Sequence, residues 1–156
     1  MNSKFLTVLQ TQDIDDNNFF ILKDLIYQSR CLNGIVTVPK GFKSDGSSTP
    51  RVPVVYTLYG GKAHHEGVLH DYLYRVPNHT ILFSKAGEGL ENTVRVISKK
   101  EADTVFLEAM TARDKPWHVR WGMYLGVKFG GQLSWATGQA RYEIVDLSPL
   151  GGTPNA

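Results

Sequence analysis

The sequence predicts an α+β fold: a small N-terminal antiparallel sheet packed on a helical core, with an antiparallel helix pair and a β-hairpin inserted between its helices. Three observations carry this expectation. Aromatic and branched residues crowd residues 4–39, and the turn-forming pair Asn33-Gly34 divides them. Ala63 to Arg75 has the composition of a helix that Pro77 stops. Ser98-Lys99-Lys100-Glu101 is a capping box, the signature of a second helix start.

Taken in order, Lys4 to Leu9 is a short apolar-rich run, and Phe19 to Tyr27 (FFILKDLIY) suits a pleated surface. Asn33 and Gly34 both tolerate positive φ, and Ile35 to Val38 alternates before Pro39 ends it. Gly41 to Arg51 is polar and glycine-containing, hence a loop, and Val52 to Tyr59 is apolar. Thr80 to Ser84 and Thr93 to Ile97 flank a turn-rich tip and form the hairpin between the helices. After the capping box, Ala102, Val105, Phe106, Ala109 and Met110 make one apolar helical stripe. Asp114 and Pro116 mark a further helix start, with Trp117 to Phe129 as its body. Arg141 to Leu147 reads as an edge strand and Pro149 to Ala156 as a frayed end. One domain over 1–156 is expected, with the sheet at about 4–39, a loop at 40–51, the helical core at 52–130 and a C-terminal tail at 131–156.

The composition excludes several classes. Hydrophobic residues are 42% and aromatic residues 11% of the 156, enough for a packed core and against disorder. Seventeen Lys and Arg against 15 Asp and Glu leave a net charge of +2, too weak an excess to suggest nucleic acid. No apolar run approaches the roughly 20 residues of a membrane span. The opening MNSKFLTVLQTQ lacks the parts of a signal peptide. Cys31 is alone, which rules out a disulfide scaffold and predicts a buried small hydrophobe.

The chemistry concentrates on His70-Asp71-Tyr72-Leu73-Tyr74. Adjacent helical residues project about 100° apart, so His70 and Asp71 suit neighbouring tasks better than joint chelation. His70 is the candidate water-activating base and Asp71 the candidate cation ligand. Tyr74 lies one turn beyond His70 on the same side. Asp103 on the second helix is placed to accept from one ring nitrogen of His70, leaving the other as base. The oxygen-rich segment from Asp45 to Thr49 offers further ligands to a hard cation, for which calcium is the expectation.

These residues resemble those of the calcium-dependent secretory phospholipases, particularly the short bacterial and fungal type. The resemblance covers His70-Asp71-x-x-Tyr74 and Asp103-x-x-Phe106 on a second helix. It implies that His70 activates water, Asp71 binds calcium, and Tyr74 and Asp103 support the histidine. It also likens Asp45 to Pro50 to a calcium loop. A broader resemblance, through GFKSDGSSTPR, VLHDYLYR and KKEADTVFLEAM, is to an uncharacterised family found mainly in tailed bacteriophages and prophages. The single cysteine departs from the disulfide-rich phospholipases. Together the resemblances imply a calcium-assisted ester hydrolase in a host cytoplasm or virion, with a lipid or membrane interface as partner.

Two other functions fit the sequence. One is a non-enzymatic virion, tail or assembly component that docks on another phage structural protein. The other is a zinc-dependent amide hydrolase using His64, His65, Glu66 and His70, where Glu66 and His70 share a helix face but HExxH is absent. Each site residue also has a plain structural alternative. His70 and Asp71 can be a buried pair, Asp103 a solvated residue near a helix start, and Asp45 an Asx turn. His79 and His118 look incidental. Gly122, Gly126 and Gly130 predict close helix packing, while Trp117, Trp121, Trp135 and Tyr124 suggest an interfacial aromatic surface.

Overall fold

The computed structural model describes residues 2–45, 65–89 and 93–151. The segment from Gly46 to Pro50, the Val52–Tyr59 run, Gly60-Gly61, His64 and the hairpin tip at 90–92 lie outside the described residues. Among the described residues, eight strands form two antiparallel sheets. Five make one sheet in the order β1 (Lys4–Phe5), β4 (Leu25–Ser29), β5 (Gly34–Val38), β7 (Thr80–Lys85), β8 (Thr93–Val96). Three make the other: β2 (Thr11–Asp13), β3 (Phe19–Ile21), β6 (Lys43–Ser44). The described helices are α1 (His65–Arg75), α2 (Lys99–Ala112), α3 (Trp117–Gly130) and the short α4 (Gln132–Thr137). The α+β expectation is met.

Strands β4 and β5 show why the larger sheet forms. Leu25, Tyr27 and Ser29 face inward on β4, and Gly34, Val36 and Val38 on β5, the period of two of a half-buried ladder. Leu25 pairs with Val38 and Ser29 with Gly34, a register closed by Asn33 at φ 54°. Gly34 is required, because a Cβ there would collide with the Phe83 ring on β7.

Several sequence expectations need correction. Phe19 to Tyr27 is two strands in two sheets, not one run. Between them Leu22 N donates to Gln10 O at 2.8 Å, and Asp24 accepts from Lys40 N at 2.8 Å through its carboxylate and from the Thr7 hydroxyl through its carbonyl. These long-range bonds turn the chain where no glycine or proline marks it. The 80–97 hairpin is no satellite either: β7 pairs with β5 from Gly34↔Lys85 to Thr37↔Leu82, so the hairpin completes the N-terminal sheet. The described part of the tail is mostly helical, with α4 and a 3-10 turn at Gly138–Arg141, and its extended pairing is the isolated bridge Phe42↔Ile144 beside β6. Cys31 is exposed in the β4–β5 turn. Gly122 faces open space, so its spacing does not reflect close helix packing.

Helix α1 is the centre of the molecule. Nine of its 11 residues are buried, the mark of an interior helix. Val68, Leu69, Tyr72 and Leu73 join Leu25, Tyr27, Val36, Val38 and Ile81 of the sheet and Ala102, Val105 and Ala109 of α2 in the main core. A second cluster, Phe106, Met110, Met123 and Val127, sits between α2 and α3. Glu108 ties α2 to the sheet, accepting from the Tyr27 hydroxyl at 3.0 Å, the Ser29 hydroxyl at 2.8 Å and Cys31 N at 2.8 Å. Replacing Glu108 with Ala leaves the buried Tyr27 and Ser29 hydroxyls without that acceptor. The expected loss is about 2–3 kcal/mol of folding stability, read from urea denaturation midpoints.

Candidate functional site

The site is assembled where α1 crosses α2. Ser98 caps α2 by accepting from Glu101 N, and Glu101 returns the bond to Ser98 N, so both halves of the capping box are present. This cap sets the start of α2, and with it the rotation that turns Asp103 inward. Tyr74 near the end of α1 lies by Asp103, while Glu66 near its start lies by Lys115 beyond the end of α2. The two helices therefore run antiparallel.

Asp103 is 3% exposed and engaged from three sides. Tyr74 donates its hydroxyl to Oδ1 at 2.5 Å, Lys99 Nζ reaches Oδ2 at 2.7 Å, and His70 Nε2 lies 3.6 Å from Oδ1. Burial pushes the Asp103 carboxyl up, but His70, Lys99 and Tyr74 outweigh it and hold the group below the usual carboxylate range. Tyr74 titrates far above an ordinary phenol, through burial and its bond to Asp103. The His70 ring lies between Tyr74 and Phe106, with centroids at 4.1 and 4.4 Å. It is 1% exposed, and neither ring nitrogen has a hydrogen-bond partner among the described residues. The contact with Asp103 thus exceeds hydrogen-bond length while the Tyr74 hydroxyl holds the same oxygen.

Asp71 faces another neighbourhood, as the 100° step along the helix requires. It is fully buried, accepts from the Ser44 hydroxyl, and has Arg75 Nη2 3.6 Å away. The same Arg75 nitrogen is 2.5 Å from Asp45 Oδ1, and Arg141 stands 3.6 Å from Asp45 Oδ2. Burial raises the Asp71 carboxyl above its ordinary value, with Arg75 and Ser44 opposing. Asp45 and Asp71 are thus brought together, as expected of a shared site, but a guanidinium lies between them. Calcium takes six to eight oxygens. The described donors here are two carboxylates and one hydroxyl, and Arg75 stands between the carboxylates.

The zinc set does not assemble among the described residues. His65 Nε2 accepts from Leu9 N at 3.0 Å, which commits it to holding the N-terminal segment. Glu66 is 1% exposed and faces Lys115 at 3.2 Å and Arg113 at 4.0 Å. No group of three or more His, Cys, Asp or Glu side chains is arranged to hold a metal among the described residues. His79 stacks on Trp135 at 3.7 Å with ring planes 5° apart, so it is a packing residue rather than an incidental one.

Beside Asp103 opens a cleft of about 450 Å³, lined by Lys99, Lys100, Asp103, Tyr124, Lys128, Gln132 and Trp135. Gly131 helps shape it, since a Cβ there would meet the Tyr74 hydroxyl and the Val127 carbonyl. Sequence reasoning missed Lys99 and Arg75. Both carry an i,i+4 signal, Lys99 to Asp103 and Asp71 to Arg75, on helices that were recognised.

A family model described as a protein of unknown function, DUF1353, matches residues 19–127, from β3 into α3. No curated protein and no solved structure matches the chain. No helix among the described residues is long and apolar enough to cross a membrane.

The Arg75 pairing has a measurable consequence. Arg75→Met removes the Arg75 counter-charge from the buried Asp71 carboxylate, and the expected cost is about 3–5 kcal/mol. Asp71 binds a proton more tightly when folded, so its effect on stability becomes more favourable as pH falls toward the ordinary value of 3.8. The deficit of Arg75→Met in thermal unfolding should therefore be largest at neutral pH and shrink on acidification.

Proposed function

We propose that this chain, which belongs to the DUF1353 family, hydrolyses an anionic ester, with His70 as general base and Asp103 as its orienting partner. One observation carries the reading: a buried imidazole, both nitrogens unbonded among the described residues, lies 3.6 Å from a carboxylate that Tyr74 and Lys99 hold in place. A structural histidine in a core ordinarily has its ring nitrogens hydrogen-bonded. Catalytic hydrogen bonds, by contrast, are often long before substrate binds.

In the reaction His70 takes a proton from water through Nδ1, the nitrogen not turned to Asp103. The resulting imidazolium donates Nε2–H to Asp103, whose low proton affinity keeps it ionised. The hydroxide attacks the ester carbonyl, and the proton on His70 passes to the leaving alcohol as the tetrahedral intermediate collapses. Lys100 and Lys128 on the cleft wall supply positive charge toward the developing oxyanion. Three lysines against one carboxylate along the cleft favour a substrate that carries an anionic group. With the ring 1% exposed, substrate binding has to open its surroundings to water.

The resemblance of His70, Asp71, Tyr74 and Asp103 to the helix pair of secretory phospholipases supports the same reading. The resemblance to phage and prophage proteins supports a virus–host setting for it. Beside Asp71 the counter-charge that a cation would provide comes from Arg75. The exposed aromatic face of α3 favours a second reading, a virion or assembly component that docks on a partner without chemistry.

Turnover on p-nitrophenyl acyl esters and phosphatidylglycerol vesicles separates the two. His70→Ala and Asp103→Asn should each lower kcat by about 10²–10⁴ with the far-ultraviolet circular dichroism retained. Absence of turnover in the wild-type chain on every ester, with folding intact, would favour docking. EDTA should leave the rate unchanged. A rate lost to EDTA and restored by calcium would assign Asp45 and Asp71 to a cation and overturn the role given to Arg75.

A further inference from the structure

We infer that the exposed face of α3 is a docking surface for an anionic lipid bilayer. Trp117, Trp121, Leu125 and Phe129 recur every four residues and are 69, 48, 45 and 74% exposed. They do not serve the core, because Met123 and Val127 on the opposite face of α3 already pack on Phe106 and Met110. A helix apolar on two faces, one buried and one open, needs a second apolar medium. Leu133, 74% exposed just beyond the helix end, extends the strip.

Charge identifies the medium. No acidic residue occurs between Asp114 and Glu143, whereas Arg120 and Lys128 both stand on α3. The Lys128 ammonium lies over the Tyr124 and Phe129 rings, 5.7 and 5.6 Å from their centroids. Exposed aromatic side chains that share a helix with basic ones match the layered chemistry of a bilayer surface, apolar below and anionic above. Tyr124 and Lys128 also line the cleft beside Asp103. A bilayer seated on the strip would therefore lie against the cleft mouth. The inference extends the hydrolase reading by naming where it would act, but it needs no chemistry at His70.

Sedimentation with phosphatidylcholine vesicles and with mixed phosphatidylcholine–phosphatidylglycerol vesicles tests it. The expected result is at least about tenfold tighter binding to the mixed vesicles, weakening as salt is raised. All three tryptophans of the chain, Trp117, Trp121 and Trp135, lie on α3 or α4, so a blue shift on binding reports this region. Trp117→Ser combined with Phe129→Ser, both at exposed positions, should abolish the binding with the melting temperature preserved. Arg120→Glu with Lys128→Glu should remove the preference for anionic lipid. His70→Ala should bind vesicles as the wild type does, so failure of the catalytic reading and failure of this one are distinguishable. Absence of vesicle binding, or binding unchanged in the Trp117/Phe129 variant, would overturn the inference. Self-association in sedimentation equilibrium that this variant relieves, without vesicle binding, would assign the strip to a second copy of the chain.

Discussion

Four acidic or basic side chains of α1, Glu66, His70, Asp71 and Arg75, are buried in the interior, and much of the structure is arranged around them. An isolated charge in an apolar interior costs several kcal/mol, so each must find a partner or lose its charge. The partners come from distant segments. Arg75 reaches Asp45 beside β6 as well as Asp71 one turn away, and Arg141 of the tail approaches the same Asp45. Glu66 faces Lys115 in the α2–α3 connection. His70 lies by Asp103, which Lys99 and Tyr74 engage. The polar positions of one helix thereby constrain where β6, α2, the α2–α3 connection and the tail must sit.

What the sequence reveals follows from the range of the interactions involved. The capping box, the Asn33-Gly34 turn and the stop at Pro77 are local, and each marks its element. The break between β3 and β4 is held by bonds from Leu22 to Gln10 and from Lys40 to Asp24, and nothing in Leu22-Lys23-Asp24 announces it. The pairing of β7 with β5 joins segments some 50 residues apart, and alternation alone does not choose a neighbour. At the site, helical spacing joins His70 to Tyr74, whereas Asp103 on the second helix becomes a candidate through the antiparallel packing expected of the two helices. The guanidinium between Asp45 and Asp71 depends on a strand 30 residues upstream, although Asp71 and Arg75 share an i,i+4 relation that hinted at it.

Arg75 also sharpens what the phospholipase resemblance can mean. A carboxylate that binds calcium and one that binds a guanidinium both remain ionised beside a positive group, so the same Asp71 is compatible with either. They differ in what else they need. A cation demands several oxygens at one distance, whereas a guanidinium bridges two carboxylates in fixed directions and keeps its charge. Asp45, Asp71 and Ser44 suit the second requirement. The arrangement places a guanidinium one helical turn beyond Asp71, and the same contacts tie α1 to β6.

Lys99 links this interior to the surface. Its ammonium bonds Asp103 at 2.7 Å and the Val127 carbonyl at 2.9 Å, with the Lys128 carbonyl 3.4 Å away. Those carbonyls belong to the last turn of α3, where a cation is favoured by the helix dipole, and the Val127 carbonyl accepts from Gly131 N at 2.9 Å as well. One side chain therefore caps α3 and engages the carboxylate that faces His70. Moving α3 relative to α2 would stretch both sets of bonds at once, and the Gly131 contact with the Tyr74 hydroxyl would change in the same motion. The orientation of the exposed aromatic strip and the setting of Asp103 are thus linked through the Lys99 ammonium as well as through the core between α2 and α3. A load on the outer face of α3 has a short physical route to Asp103, the carboxylate 3.6 Å from the His70 ring.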